Sequence, residues 1–210
     1  MAIRLKRALP HIIHIDQSFG IPGRSIQDNI IFMNALFAYI EEKKIPSIFL
    51  NVDQEKAFDR VAHIYIFNTL LKFGFGEVFI NWVKILYKNI FSRIIVNGFT
   101  SEIINIKRSV RQGCPIAPLL YVCVIETLLI KIRNDKSIHG IKSPCNTIEH
   151  LLSAYADDTG FFLDGLPSAV AVLNNFEKFG GVAGSKVNKT KTEGMWLGRN
   201  KFKEDRPLDI

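Results

Sequence analysis

The chain is 210 residues long (23.8 kDa), 48% hydrophobic and 22% charged, enough for one good-sized domain or two small ones with a sizeable core. Those proportions exclude collagen-like and intrinsically disordered classes. Lys plus Arg number 27 against 20 Asp plus Glu, a net charge of +7 with pI near 9.3, which suits a polyanionic partner without specifying one.

In chain order, apolar residues at Ile26, Ile30, Met33, Phe37 and Ile40 recur at helical spacing. With Ser25 as N-cap and Lys43-Lys44 before Pro46 as stop, they predict a helix over 25–43. Ser47 to Val52 reads as a strand delivering Asp53 at its end. Two helices follow, around 64–73 and 78–88, parted by Gly74-Phe75-Gly76. The segments 92–96 and 103–106 around Asn97-Gly98 predict a hairpin. Gly113-Cys114-Pro115 leads into an apolar helix over 119–133. Leu151 to Leu163 reads as a buried hairpin with Asp157-Asp158 at its tip. A helix over 168–179 and a short strand and turn over 193–198 complete the set. Strands and helices interleave without βαβ rhythm, so the fold class is α+β with an antiparallel sheet.

No repeat, low-complexity tract or splitting linker is present. Cys114, Cys123 and Cys145 form no Cys-x-x-Cys pair, which argues against a disulfide framework or a cysteine zinc site. The five histidines lack the paired spacing of a metal site. Met1 to Arg7 carries no signal-peptide core, and the run 116–132 is broken by Pro118, Glu126 and Lys131, too polar to span a bilayer. The expectation is an intracellular protein of nucleus or cytoplasm, not secreted and not membrane-bound.

The chemistry concentrates in carboxylates. Asp53 ends a strand, and Asp157-Asp158 tips a hairpin far along the chain. An Asp-Asp pair is an ordinary turn former. Here, however, apolar flanks (Leu151, Leu152, Ala154, Tyr155, Ala156, then Phe161, Phe162, Leu163) push both turn carboxylates toward a buried edge, where unpaired charge is costly. Carboxylates gathered at one place repel one another and call for a cation. Hard oxygen ligands suit Mg²⁺. Two such ions about 3.5–4 Å apart activate an attacking hydroxyl and stabilise a leaving pyrophosphate.

Tyr155-Ala156-Asp157-Asp158 resembles the catalytic signature of reverse transcriptases. The segment from Asn51 to Val61 resembles the first acidic motif of their non-LTR (LINE-type) retrotransposon branch. The run from Arg108 to Pro118 is similar to that branch's loop-and-helix motif, and Asp16 to Ser25, less closely, to its fingers motif. Lys186-Val187-Asn188, Lys191-Thr192-Glu193 and Met195-Trp196-Leu197-Gly198 are similar to its last palm motifs. Group II intron reverse transcriptases and telomerase carry related palm motifs, but the Lys56-Ala57-Phe58-Asp59 context and the Met195–Gly198 ending look more LINE-like. The motifs stand in family order over nearly the whole chain.

The resemblance implies a right-hand polymerase palm with an antiparallel sheet and partial fingers. It divides the chain into about 1–46 (partial fingers), about 47–198 (mainly palm) and 199–210 (a truncated tail), with thumb, upstream fingers and endonuclease absent. It implies an RNA-directed DNA polymerase that adds dNTPs to a primer 3′-hydroxyl by two-metal chemistry, as in target-primed retrotransposition. On this resemblance Asp53, Asp157 and Asp158, with the Gln54 carbonyl, would hold two Mg²⁺ ions, for which Mn²⁺ could substitute. Lys191 would protonate pyrophosphate. Phe58 would exclude a 2′-hydroxyl, Gln112 and Gly113 would line the nucleotide pocket, and Arg24 and Arg111 would meet triphosphate oxygens. Tyr155 would lie by the primer end, with Met195, Trp196, Leu197 and Gly198 as primer grip. The implied partners are an RNA template, a DNA primer or target and dNTPs.

By side-chain type alone core packing is the plainer account of Phe58; a core or subdomain-interface aromatic is the alternative for Trp196, and a solvated loop lysine stands equally beside the role of Lys191. Ser109 stands where the family commonly has Gly, Ala117 where it has Ser, and Ala183 where a Ser-Gly pair begins. Ser18-Phe19-Gly20 permutes a usual Gly-Phe. With no thumb to clamp a duplex, the fragment is expected to be weak or inactive alone. The competing reading is a non-catalytic nucleic-acid-binding remnant or domesticated retroelement fragment.

Overall fold

The computed structural model describes residues 1–143 and 148–208. Helix α1 (Ala2–Ile12) opens the chain and buries Leu5 and Leu9. Helix α2 (Ile26–Lys43) begins where the Ser25 N–H donates to Asp28 Oδ2 (2.8 Å) and ends at Lys44 in the left-handed conformation. Strand β1 (Ser47–Val52) is followed by the short α3 (Ala57–Arg60), then α4 (His63–Lys72) and α5 (Glu77–Leu86).

The predicted hairpin is two short ladders. Strands β2 (Phe91–Ser92) and β5 (Ile104–Asn105) pair, and β3 (Ile95–Val96) pairs with β4 (Phe99–Thr100). Asn97 and Gly98 both take positive φ (50° and 82°), as a tight two-residue turn requires. The ladders differ in register by one residue: Ser92 faces Ile104 and Ile95 faces Thr100. The second strand therefore restarts at Phe99, earlier than the sequence predicts, with an extra residue accommodated between the ladders.

Helix α6 (Ala117–Arg133) is buried along nearly its whole length, and strands β6 (Ile141–Lys142) and β7 (Glu149–His150) pair beyond it. Then come β8 (Leu152–Tyr155), β9 (Asp158–Leu163), α7 (Leu166–Ala183) and β10 (Glu193–Leu197), which a 3-10 turn follows at 198–200. The main sheet is antiparallel in the order β10-β1-β9-β8. Its two faces follow from the period-2 alternation. Ile48, Leu50, Val52, Phe161 and Leu163 join the large core with α6 and α7. Phe162, with Phe49 packed against it, belongs to the smaller core under Leu36 and Ile40 of α2. Gly160 keeps that second face open, since a Cβ there would stand 2.8 Å from the Phe49 ring.

Beyond β10 the chain folds back. Pro207 lies over Gly194, Trp196 Nε1 donates to the Asp205 carbonyl (2.8 Å) and Lys203 sits 4.2 Å from the Trp196 ring centroid. Cys114 and Cys123 are free thiols, and Cys145 lies outside the described residues, as do Asp209 and Ile210. Among the described residues no helix is long and apolar enough to cross a membrane.

Candidate active site

Strand β1 ends with Val52 opposite Thr159. The same register carried one residue further sets Asp53 opposite Asp158. On the other side of β9, Tyr155 pairs with Asp158, so Ala156 and Asp157 form a two-residue turn in which Ala156 takes φ +57°. The turn that carries Asp157 therefore stands at the end of the sheet where β1 delivers Asp53.

Asp53 and Asp157 are half-buried and Asp158 is exposed. The sequence predicts a buried edge for both turn carboxylates; only Asp157 meets that expectation. Asp158 opens β9 on the face opposite to Thr159, and alternation turns it away from the main core. Burial holds the Asp157 carboxyl above its usual range. Its own backbone N–H pulls the other way, and Asp158 and Asp53 add to the rise. Neighbouring negative charges at one sheet end are the condition that a cation relieves. Among the described residues no three Asp, Glu, His or Cys side chains are gathered tightly enough to cage an ion as they stand. The carboxylates are neighbours, not a closed cage.

The backbone of Asp53 is held on both sides by the segment before β10. Its N–H donates to Thr192 Oγ1 (3.3 Å) and its carbonyl accepts the Asn188 N–H (2.9 Å). The Thr192 hydroxyl in turn donates to the Asn188 carbonyl (2.9 Å). Lys191 stands exposed in the same turn.

Beneath the carboxylates lies a residue that the sequence reading misses. Tyr121 of α6 is fully buried, with its phenol pushed well above the usual range by burial and by the negative charge of Asp157 and then Asp158. Its hydroxyl accepts from Gln54 Nε2 (3.1 Å), and Gln54 Oε1 accepts from Ser185 Oγ (2.5 Å). Phe58 is half-buried and stacked on Tyr121, centroids 4.4 Å apart and planes at 29°. The only sequence signal for Tyr121 is a lone aromatic ring in an apolar helix.

The loop before α6 is tied to α3 through Asp59, whose Oδ1 accepts from Ser109 Oγ and Gln112 Nε2, both at 3.3 Å. Ser109 takes φ +95° and Gly113 φ +76°, so Ser109 occupies a conformation that favours glycine. Gln112 and the exposed Arg111 line an open groove of about 730 Å³ with Asp59, His63 and Arg108.

Two sets of predicted residues are placed differently from what the motifs imply. Arg24 is turned onto backbone: its guanidinium donates to the carbonyls of Ile13 (3.1 Å), His14 (2.5 Å) and Gln17 (2.8 Å). Those bonds commit both Nη1 protons and one on Nη2 to the chain's own loop, where the motif implies a triphosphate contact. Met195 faces Phe49 and Leu197 faces Ser47, so β10 carries Trp196, Leu197 and Gly198 toward the start of β1, away from Asp53. Trp196 and Leu197 are buried and Met195 is exposed. Tyr155 is half-buried, edge-on to Phe19 with centroids 5.1 Å apart.

Residues 1–204 match the family model described as reverse transcriptase (RNA-dependent DNA polymerase). The "Transposon TX1 uncharacterized 149 kDa protein" of Xenopus laevis is 33% identical over 198 residues, covering 94% of this chain and 15% of that protein. The "Retrovirus-related Pol polyprotein from type-2 retrotransposable element R2DM" of Drosophila melanogaster is 28% identical over 171 residues, covering 81% and 16%. The chain thus spans about a sixth of the length of these relatives, which are retrotransposon proteins, as the non-LTR resemblance implies. Among solved structures, apo telomerase from Candida tropicalis, truncated from its C-terminal domain, superposes with a TM-score of 0.64 at 12% identity, over 93% of this chain and 39% of that one. Telomerase from Candida albicans, in complex with a TWJ fragment of telomeric RNA, gives 0.62 at 11%, over 92% and 33%. At such identities the likeness is one of fold, the right-hand polymerase fold. Matched from its first residue almost to its last, the chain belongs to the reverse transcriptase (RNA-dependent DNA polymerase) family.

Proposed function

We propose that this chain carries the palm of an RNA-directed DNA polymerase that extends a primer 3′-hydroxyl with dNTPs on an RNA template, in retrotransposition of the target-primed kind. The observation that carries the reading is the register that sets Asp53 at the sheet end where the Asp157-Asp158 turn stands. Residues about 47–198 serve as palm and about 1–46 as part of the fingers. The surplus of basic residues suits nucleic-acid partners.

The donor set fits hard divalent cations, being all oxygen, negatively charged and partly exposed. Asp53, Asp157 and Asp158, with the Gln54 carbonyl, would hold Mg²⁺, with Mn²⁺ as substitute. Two bound ions supply the charge that activates a hydroxyl and stabilises a leaving pyrophosphate. The chain's own residues do the rest. Phe58, backed by Tyr121, presents a rigid aromatic wall against a 2′-hydroxyl. Gln112, Gly113 and Arg111 border the incoming nucleotide. Lys191, exposed on the turn that braces Asp53, offers its ammonium proton to pyrophosphate. Tyr155 and Met195 are the primer-side groups.

Extension of a DNA primer on an RNA template with Mg²⁺ tests the reading. The chain is expected to incorporate dNTPs, and Asp157→Asn to abolish incorporation. Equal behaviour of the two proteins, with nucleic-acid binding retained, overturns the enzymatic reading in favour of a binding remnant.

A further inference from the structure

Gln17 is fully buried, with 0% of its surface exposed, and its carboxamide is spent on backbone. Nε2 donates to the Ala156 carbonyl (3.2 Å), while Oε1 accepts the N–H groups of Ala156 (3.0 Å) and Phe19 (3.0 Å). One side chain thus grips both polar backbone groups of a single residue distant in sequence. That residue precedes Asp157 and sits at φ +57°, a conformation disfavoured for alanine.

The surrounding bonds isolate what the side chain does. The Ala154 N–H donates to the Asp16 carbonyl (2.8 Å) and the Ser18 N–H to the Ala154 carbonyl (3.1 Å). These main-chain bonds, with Asn29 Nδ2 also donating to the Ala154 carbonyl (2.9 Å), cover the free edge of β8 at Ala154. The Gln17 side chain reaches past that edge to the turn. Arg24, through its bonds to the carbonyls of Ile13, His14 and Gln17, fixes the loop from which Gln17 reaches. A planar amide offers a donor and an acceptor side by side on separate atoms, and Asn has the same chemistry one methylene short.

We propose that Gln17 is a positioning residue for the Asp157 carboxylate: its carboxamide locks Ala156 in the left-handed conformation that places Asp157 at the Asp53 end of the sheet. The assignment rests on the polymerase reading of that end and adds a residue from the fingers side to its machinery. Arg24 then acts through Gln17, by holding the loop.

The test measures Mn²⁺ affinity by electron paramagnetic resonance and amide exchange at Ala156 by NMR, in wild type, Gln17→Met, Gln17→Ala and Asp157→Asn. Gln17→Met keeps the volume while removing both bonds to Ala156 and the one to Phe19, and its melting temperature checks that the fold is retained. Loss of the clamp is expected to speed Ala156 exchange and weaken Mn²⁺ binding, each by about tenfold. Adding Ala156→Gly to Gln17→Met is expected to recover about threefold in affinity, because glycine adopts positive φ without steric cost. A merely structural role lowers the melting temperature, leaves affinity intact and shows no glycine rescue; that result overturns the assignment. If wild type binds Mn²⁺ no better than Asp157→Asn, the polymerase reading itself falls. If wild type binds in an Asp157-dependent way and Gln17→Met binds as well, only the Gln17 assignment falls.

Discussion

The Phe58 ring lies on the Tyr121 ring at 4.4 Å between centroids, and the Tyr121 hydroxyl beneath takes its hydrogen bond from Gln54. Under the proposed function, sugar discrimination by Phe58 and cation placement by Gln54 would share one support. Phe58→Val is expected to relax the rejection of ribonucleotides, read as the ratio of rNTP to dNTP incorporation. Tyr121→Phe keeps the stack but strands the Gln54 amide, at about 1–2 kcal/mol of stability by urea unfolding. An unchanged sugar ratio in Phe58→Val contradicts the role given to that ring.

Thr192 is 2% exposed and bridges Asp53 to Asn188. Thr192→Val preserves shape and deletes both bonds, so about 1–2 kcal/mol of stability is lost. Primer extension should fall more steeply than stability predicts, because Asp53 loses the acceptor for its N–H. Thr192→Ser, which retains the hydroxyl, should restore most of both.

Gly160 faces the Phe49 ring, itself packed on Phe37 and Phe162. Gly160→Ala forces that cluster apart and should cost about 1–3 kcal/mol, seen as a lowered melting temperature. Phe49→Leu in the same chain should cancel part of the loss. Additive effects would show that the two residues do not compete for space.

Glu126 is buried among apolar residues of α6, and burial pushes its carboxyl up to about 7, although Arg133 donates to Oε1 at 2.9 Å and the His14 N–H at 3.3 Å. A folded-state value above the unfolded one of 4.5 means that the folded protein binds the extra proton between the two. This contribution to stability is complete below about pH 4.5 and is lost as pH rises through about 7. His63, whose imidazole burial holds below its usual range, contributes the opposite slope as pH falls. The difference between wild type and Glu126→Gln isolates the carboxyl. Wild type should lose up to about 3 kcal/mol relative to the variant between pH 5 and 8 by urea unfolding, and a flat difference contradicts this.

Much of this fold is legible in sequence because it is written in local signals. Ser25 ahead of the helically spaced apolar residues, the Asn97-Gly98 turn and the apolar run from Ile48 to Val52 each specify their element. Helix α1 is not: it carries Pro10, has no capping side chain and earns its place only by packing Leu5 and Leu9 into the core. The carboxylates are legible because their motifs are contiguous. Gln17, Tyr121 and Thr192 are not, because each acts on a partner brought near by the tertiary fold. The exposure of Asp158 likewise depends on which sheet face it meets, which flanking hydrophobicity does not encode.

In the proposed polymerase Asp53 and Asp157 serve one cation site. Mn²⁺ titration of wild type, Asp53→Asn, Asp157→Asn and the double variant tests whether they do. Shared ligation predicts strongly non-additive losses, with either single substitution removing most of the affinity and the double scarcely worse. Full affinity in Asp53→Asn beside complete loss in Asp157→Asn would contradict it.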